Sequence, residues 1–77
     1  MSGDGHSGDH GDLAPEVRLG NDIARQFAHL PEGDAVARIA AHLERFWDPR
    51  MRRRLRDRVA HEDDDLDPLL VAAARGL

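Results

Sequence analysis

The sequence predicts an all-α protein: a small three- to four-helix bundle that follows a disordered N-terminal tail rich in glycine, aspartate and histidine. Three observations predict this fold class. Beyond residue 14, apolar residues recur at three- and four-residue spacings in four segments. Asp-Pro pairs at 48–49 and 67–68 mark places where one helix ends and another begins. No segment alternates apolar and polar residues as a half-buried strand would.

The 77-residue chain divides into two parts. Residues 1–13 carry glycine at positions 3, 5, 8 and 11, and nothing larger than histidine stands between Met1 and Leu13. Such a segment buries too little apolar surface to offset the entropy lost on ordering. We therefore expect a disordered tail over residues 1–13 and a single helical domain over residues 14–77.

The first helix is predicted from about Pro15 to Leu30, because proline is favourable at a first helical position. Gly20 is unusual inside it, since glycine costs about 1 kcal/mol relative to alanine in a helix interior. We expect one of two explanations. Either the helix starts later, capped by Asn21, or another backbone approaches closely at Gly20.

The second helix is predicted from about Ala35 to Trp47, with Asp34 as its N-cap after a turn that begins at Pro31. Its apolar positions follow helical spacing and would face the core. They are Val36, Ile39, Ala40, Leu43, and Phe46 or Trp47.

The third helix is predicted from Pro49 to about His61, with Asp48 as N-cap. The fourth follows Asp67-Pro68 and runs to about Arg75, where Gly76 ends it. Short connections favour antiparallel or angled neighbours, so we expect a compact three-helix core with a fourth short helix.

Charge is divided into a basic and an acidic block, although the net charge is only −4. Arginines crowd residues 45–58, and acidic residues fill most of residues 62–67. Three of these arginines, Arg50, Arg52 and Arg53, lie in the first turn of the third helix, where the helix dipole disfavours positive charge. This pattern suggests a protein partner for the arginines. The alternative is that the acidic block folds back over them, and both arrangements are compatible.

Phe46 and Trp47 are adjacent, so on a helix their side chains point about 100° apart and only one of them can face the core squarely. We expect Phe46, Met51 and Leu55 to hold the fold, while Trp47 and nearby arginines contact a partner, because Trp and Arg are frequent at interface hot spots. The predicted partner-binding residues are Trp47, Arg50, Arg52, Arg53, Arg54 and Arg56.

The residue inventory disfavours catalysis by this chain alone. The chain lacks Lys, Cys, Thr and Tyr, and its serines, Ser2 and Ser7, lie in the predicted tail. The histidines lack the spacing of a metal site. The longest apolar stretch, Leu69 to Ala74, is far shorter than the ~20 residues that span a bilayer. We expect no catalytic, cofactor-binding or metal-binding residue, no membrane contact and a cytoplasmic location.

The main alternative is a small Arg-rich regulator that binds nucleic-acid phosphates. The acidic overall charge and the neighbouring acidic block disfavour it, and aromatic residues do not interleave with the arginines as a base-stacking surface requires.

A central motif, Phe46-Trp47-Asp48-Pro49-Arg50-Met51-Arg52 followed by Leu55, resembles that of the delta subunit of NAD-dependent formate dehydrogenase. The resemblance extends over about Val17 to Ala74. Outside the motif it is carried by Asn21, Ile23, Ala24, Phe27, Pro31, Ile39, Ala40, His42, Leu43, Leu66, Pro68, Leu69 and Val71.

The resemblance implies a subunit that binds no cofactor itself, within a cytoplasmic complex that contains molybdenum cofactor, iron–sulfur clusters, FMN and NAD. Such a complex oxidises formate to carbon dioxide and passes the electrons to NAD. The chain would bind the large catalytic alpha subunit, and through it the other subunits, by stabilising it or by aiding insertion of its molybdenum cofactor. A further hypothesis is an assembly chaperone that leaves the mature enzyme.

Overall fold

The computed structural model describes residues 13–77, so the predicted tail lies outside the described residues except for Leu13. The described part forms helices α1 (Pro15–Phe27), α2 (Glu32–Phe46), α3 (Pro49–Ala60) and α4 (Pro68–Arg75). No strand is found among residues 13–77. The predicted all-α class is confirmed. None of the helices in this part of the chain is long and apolar enough to cross a membrane.

The starts of α3 and α4 are set by the predicted aspartate caps. The Asp48 carboxylate accepts a 2.8 Å hydrogen bond from the backbone N–H of Met51. The Asp67 carboxylate accepts a bond of the same length from the N–H of Leu69. Each cap satisfies a donor that has no partner within the helix, and the proline that follows it lacks a donor altogether.

Helix α2 begins earlier than predicted, at Glu32, and Pro31 rather than Asp34 precedes its first residue. The carbonyl of Pro31 already accepts from the N–H of Ala35 at 2.9 Å, so the helical ladder starts there. Glu32 and Asp34 lie in the first turn, where the partial positive charge of the dipole favours carboxylates. The predicted cap at Asp34 is therefore wrong, although the charge is favourably placed.

Helix α1 passes through Gly20 without interruption. A Cβ atom at this position would lie 2.6 Å from Cδ2 of Leu70 in α4, so a side chain rather than a backbone approaches here. Asn21 is not a cap. Its amide nitrogen donates to the carbonyl of Asp65, and its amide oxygen accepts from the N–H of Asp67, both at 2.8 Å. Asn21 therefore fixes the acidic loop that leads into α4.

The short helix α4 is more central than the predicted three-helix core allows. It contacts each of the other helices and packs most extensively on α2. Leu70, Ala73 and Ala74 are almost fully buried, and the small alanines allow the neighbouring helices to come close. The core also contains Val17, Ile23, Ala24, Ile39, Leu43, Trp47, Leu55 and Leu66.

Candidate protein-binding surface

The two aromatic residues at the α2–α3 junction divide between core and surface in the order opposite to the prediction. Trp47 is 8% exposed and belongs to the core, whereas Phe46 is 66% exposed. The chain leaves the helix at Trp47, where φ is −94° and ψ is 141°. A helical wheel does not apply at such a residue, and its indole turns inward beneath the bend. The assignment of Phe46 to the core is wrong.

The exposed Phe46 ring has two neighbours on its own helix. Its centroid lies 4.7 Å from that of the His42 ring, and the two planes are inclined by 44°. The guanidinium carbon of Arg45 lies 5.5 Å from the Phe46 centroid, within the range of a cation–π contact. The Phe46 ring therefore lies at the end of α2 and contacts the imidazole of His42 from the preceding turn and the guanidinium of Arg45.

Arg52 holds the end of α2. Although it belongs to the first turns of α3, its guanidinium reaches back to donate to the carbonyls of Leu43 at 3.5 Å, Glu44 at 3.3 Å, and Trp47. The last carbonyls of a helix lack intrahelical partners and carry partial negative charge. The side chain thus moves its charge from an unfavourable helix end to a favourable one.

Arg58 joins three segments of the chain. Its Nε donates to the carboxylate of Glu16 in α1 at 2.7 Å, and its Nη1 donates to that of Asp63 at 2.9 Å. The Glu16 side chain is only 6% exposed, so this pair shields a nearly buried charge. The predicted folding of the acidic block over the arginines is confirmed for Asp63 and Arg58.

The ionisation of the Glu16–Arg58–Asp63 group follows from these contacts. Burial is the largest influence on Glu16 and raises its pKa, but the hydrogen bond from Arg58 and other favourable contacts outweigh it, so the pKa is lowered. The backbone N–H of Asp65 and then Arg58 lower the pKa of Asp63. Hydrogen bonds to Glu16 and Asp63 raise the pKa of Arg58. All three groups are therefore stabilised in their charged forms.

Glu62 occupies a backbone conformation that usually belongs to glycine. Its φ is 54°, and it follows α3 at the position where many helices end in a left-handed residue. The N–H of Glu62 donates to the carbonyl of Val59 at 3.0 Å, and that of Asp63 donates to the carbonyl of Arg58 at 3.1 Å. This Schellman pattern turns the chain so that the Asp63 carboxylate reaches Arg58.

The remaining arginines of α3 are exposed, although Arg54 lines a depression together with Glu16 and its charge helps to lower the pKa of that carboxyl. Arg50, Arg53, Arg54 and Arg56 are exposed, and within residues 13–77 they form no ion pair. Arg50 and Arg53 line an open depression of about 490 Å³ together with Asp48 and Pro49. The first residue of the depression, Asp48, follows the exposed Phe46 by two positions in the chain.

The predicted partner-binding residues therefore lie in different environments. Trp47 is in the core, Arg52 is bound to the end of α2, and the other four arginines are exposed. Partner binding by these residues stays a prediction. The exposure of Phe46 was not predicted, because the Asp-Pro pair restricts Asp48 and does not reveal that Trp47 already has extended backbone angles.

The described residues offer no metal site, since no group of three or more His, Asp or Glu side chains among residues 13–77 is arranged to hold an ion. The full sequence contains no cysteine that could ligate an iron–sulfur cluster.

Among known families, the model described as "NADH-dependant formate dehydrogenase delta subunit FdsD" matches residues 17–74. The match covers most of the chain and includes the whole motif from Phe46 to Leu55, so the resemblance seen in the residues is confirmed. No curated protein and no solved structure matches the chain.

Proposed function

We propose, because the chain belongs to the delta-subunit family of NADH-dependent formate dehydrogenase, that it is a non-catalytic accessory subunit of the enzyme. In this proposal it binds the large molybdenum-containing alpha subunit and either stabilises it or aids insertion of its cofactor. Formate oxidation and the transfer of electrons to NAD then take place on the other subunits, in a cytoplasmic complex.

The observation that carries the proposal is the outer face of α3. Arg50, Arg53, Arg54 and Arg56 are exposed and unpaired within the described residues, while Arg52 and Arg58 have partners at home. Unpaired arginines on a rigid helix suit an acidic protein surface, because the guanidinium fork makes paired bonds with carboxylates.

The chain offers no thiolate for the iron–sulfur clusters expected in such a complex. The chain has no cysteine for an iron–sulfur cluster, and its described part has no cluster of metal ligands. We therefore assign the iron–sulfur clusters to other subunits, and in this proposal the molybdenum cofactor, FMN and NAD are bound there as well. This division leaves binding of a partner protein as the work of this chain.

The test is a pull-down with the tagged full-length chain from its native host. Recovery of a molybdenum-containing large subunit is expected, and its absence would overturn the proposal. The triple variant Arg50→Glu, Arg53→Glu, Arg54→Glu should recover far less. Arg18→Glu is the matched control, because Arg18 is also exposed but lies on α1, and it should recover as much as the wild type.

Stabilisation and cofactor insertion make different predictions for a strain that lacks this chain. If the chain stabilises the enzyme, the large subunit carries normal molybdenum when fresh but the complex dissociates faster. If it aids insertion, the complex assembles with little molybdenum. Molybdenum content and dissociation rate, measured on the same preparation, separate the two. Purified active complex that lacks the chain would favour a chaperone that departs after assembly.

Family membership is the observation that favours a protein partner over nucleic acid, for which the same exposed arginines would also be suited. A gel shift at several salt concentrations tests that alternative, because phosphate contacts weaken steeply as salt rises.

A further inference from the structure

An exposed aromatic ring, that of Phe46, lies at the end of α2, and the arginines on α3 do not account for its exposure. Phe46 is 66% exposed, and Leu19 on α1, 42% exposed, is the other large hydrophobic residue left exposed among residues 13–77. A single exposed apolar side chain is ordinary on a protein surface. Phe46 differs because its ring contacts His42 and Arg45, and because Asp48, which lines the arginine-containing depression, follows it by two residues in the chain.

We infer that Phe46 is the aromatic anchor of the interface with the rest of the formate dehydrogenase complex, and that it inserts into an apolar pocket rimmed by carboxylates on another subunit. The inference rests on the proposed function, since it presumes that the chain binds such a subunit. Phe46 thus takes the place of the predicted aromatic contact, Trp47, whose side chain is buried in the core.

The orientation of the ring supports an anchor. His42 lies one turn before Phe46, and its tilted ring contacts that of Phe46 with the centroids 4.7 Å apart, while Arg45 lies beside the ring at 5.5 Å. These contacts restrict the ring before any partner arrives, which lowers the entropy lost on binding. Anchors of this type are commonly preorganised aromatic or arginine side chains that fill a pocket near the centre of an interface.

Charge defines the rim of the pocket. Arg45 lies beside the ring, and Arg50 and Arg53 line the depression that begins at Asp48. All three arginines are exposed and form no ion pair within the described part of the chain. Asp48 is the acidic residue of that depression, and its carboxylate is occupied as the cap of α3. A partner with carboxylates around an apolar pocket is therefore complementary, whereas a basic or wholly apolar surface is not.

The experiment measures the dissociation constant of the fluorescently labelled full-length chain on formate dehydrogenase complex purified from a strain that lacks this chain. Phe46→Ala should weaken binding by about 30-fold or more, as expected for a hot-spot residue. His42→Ala, which removes only the stacking neighbour, should weaken binding by about 3- to 10-fold. Leu19→Ala is the matched control and should bind as the wild type does.

A second measurement does not depend on how well the variants fold. A photoreactive phenylalanine analogue at position 46 should cross-link to another subunit, whereas the same analogue at position 19 should not. If the wild type binds but Phe46→Ala binds within about 3-fold of it and position 46 gives no cross-link, the anchor is overturned while the proposed function stands. If the wild type itself does not bind, the proposed function fails.

Discussion

The segment from Phe46 to Arg58, which contains the end of α2 and most of α3, has an inner side that contacts the rest of the chain and an outer side that faces solvent. Both sides contain an aromatic residue and arginines. The inner side consists of Trp47, Arg52 and Arg58, whose side chains contact the core, the end of α2, or Glu16 and Asp63. The outer side consists of residues exposed to solvent, namely Phe46, Arg50, Arg53, Arg54 and Arg56. An aromatic pair and a run of arginines thus supply both the fold and the proposed interface.

A basic block in a sequence therefore need not form a single surface in the folded chain. Position relative to a helix end decides which arginine finds carbonyls, and position relative to α1 decides which finds a buried carboxylate. Substitutions on the inner side should therefore change stability, and those on the outer side should change binding.

The largest expected effect comes from the aromatic pair. Trp47→Ala removes a buried indole and should lower the free energy of unfolding by about 3–5 kcal/mol, enough to leave so small a domain largely unfolded. Phe46→Ala should change it by only about 0.5 kcal/mol, since most of that ring is already in water. Urea unfolding followed by circular dichroism measures both. Equal losses would remove the distinction between the two sides.

Arg58 and Arg54 lie one turn apart on α3 and test the same distinction for charge. Arg58→Ala should cost about 2–3 kcal/mol, because it leaves the carboxylate of Glu16 nearly buried without its partner. The cost is below that of a fully buried pair, because the Arg58 side chain is 36% exposed. Arg54→Ala should cost less, at most about 1 kcal/mol, because Arg54 is exposed and acts on Glu16 through its charge without forming an ion pair with it. A larger loss for Arg54→Ala would contradict the assignment.

Low pH should reduce the contribution that the contacts of Arg58 with Glu16 and Asp63 make to the free energy of unfolding. The pKa values of Glu16 and Asp63 are lower in the folded chain than their ordinary values. At a pH between the lowered and the ordinary values, the unfolded chain therefore binds more protons than the folded chain. Their contribution is complete only above the ordinary pKa values, 4.5 for Glu16 and 3.8 for Asp63, and it is lost as the pH falls from there through the lowered pKa values. The unfolding free energy of the wild type should therefore fall more steeply below about pH 4 than that of Arg58→Ala. Parallel curves would show that Arg58 does not couple to these carboxyls.

Arg52 and Arg56 make a smaller contrast on one helix. Arg52→Ala removes the hydrogen bonds to the last carbonyls of α2 and should cost about 1–2 kcal/mol. Arg56→Ala should cost at most about 0.5 kcal/mol, because Arg56 is exposed. Thermal melts of the two variants at one salt concentration measure the difference. A stable Arg52→Ala variant with impaired pull-down would move Arg52 to the outer side.

The smallest expected effect is an increase in stability when the left-handed residue Glu62 is replaced by glycine. Glu62→Gly relieves a left-handed backbone at φ 54° while keeping the turn that brings Asp63 to Arg58, and should stabilise the chain by about 1 kcal/mol. Asp64→Gly, two residues later, is the control and should not stabilise. A loss of stability in Glu62→Gly would show that its side chain matters more than its backbone conformation.

Local signals in the sequence determined the helices and two of their caps. Asp48 and Asp67 could be assigned because the cap, the proline and the first turn all lie within a few residues. The family motif was likewise contiguous from Phe46 to Leu55. Asp34 failed as a cap because Pro31 already supplied the first helical carbonyl, a choice between two local starts that spacing could not make.

Only the tertiary structure decided which side chains face inward at the junction and which arginines have partners. The direction of Trp47 depends on the backbone angles of one residue outside the helix, and the role of Arg58 depends on Glu16, which is 42 residues away in the chain. Likewise, the need for glycine at position 20 arises from Leu70, whose side chain occupies the space that a Cβ atom would take. Sequence periodicity describes one helix at a time, whereas these contacts arise where helices end and meet.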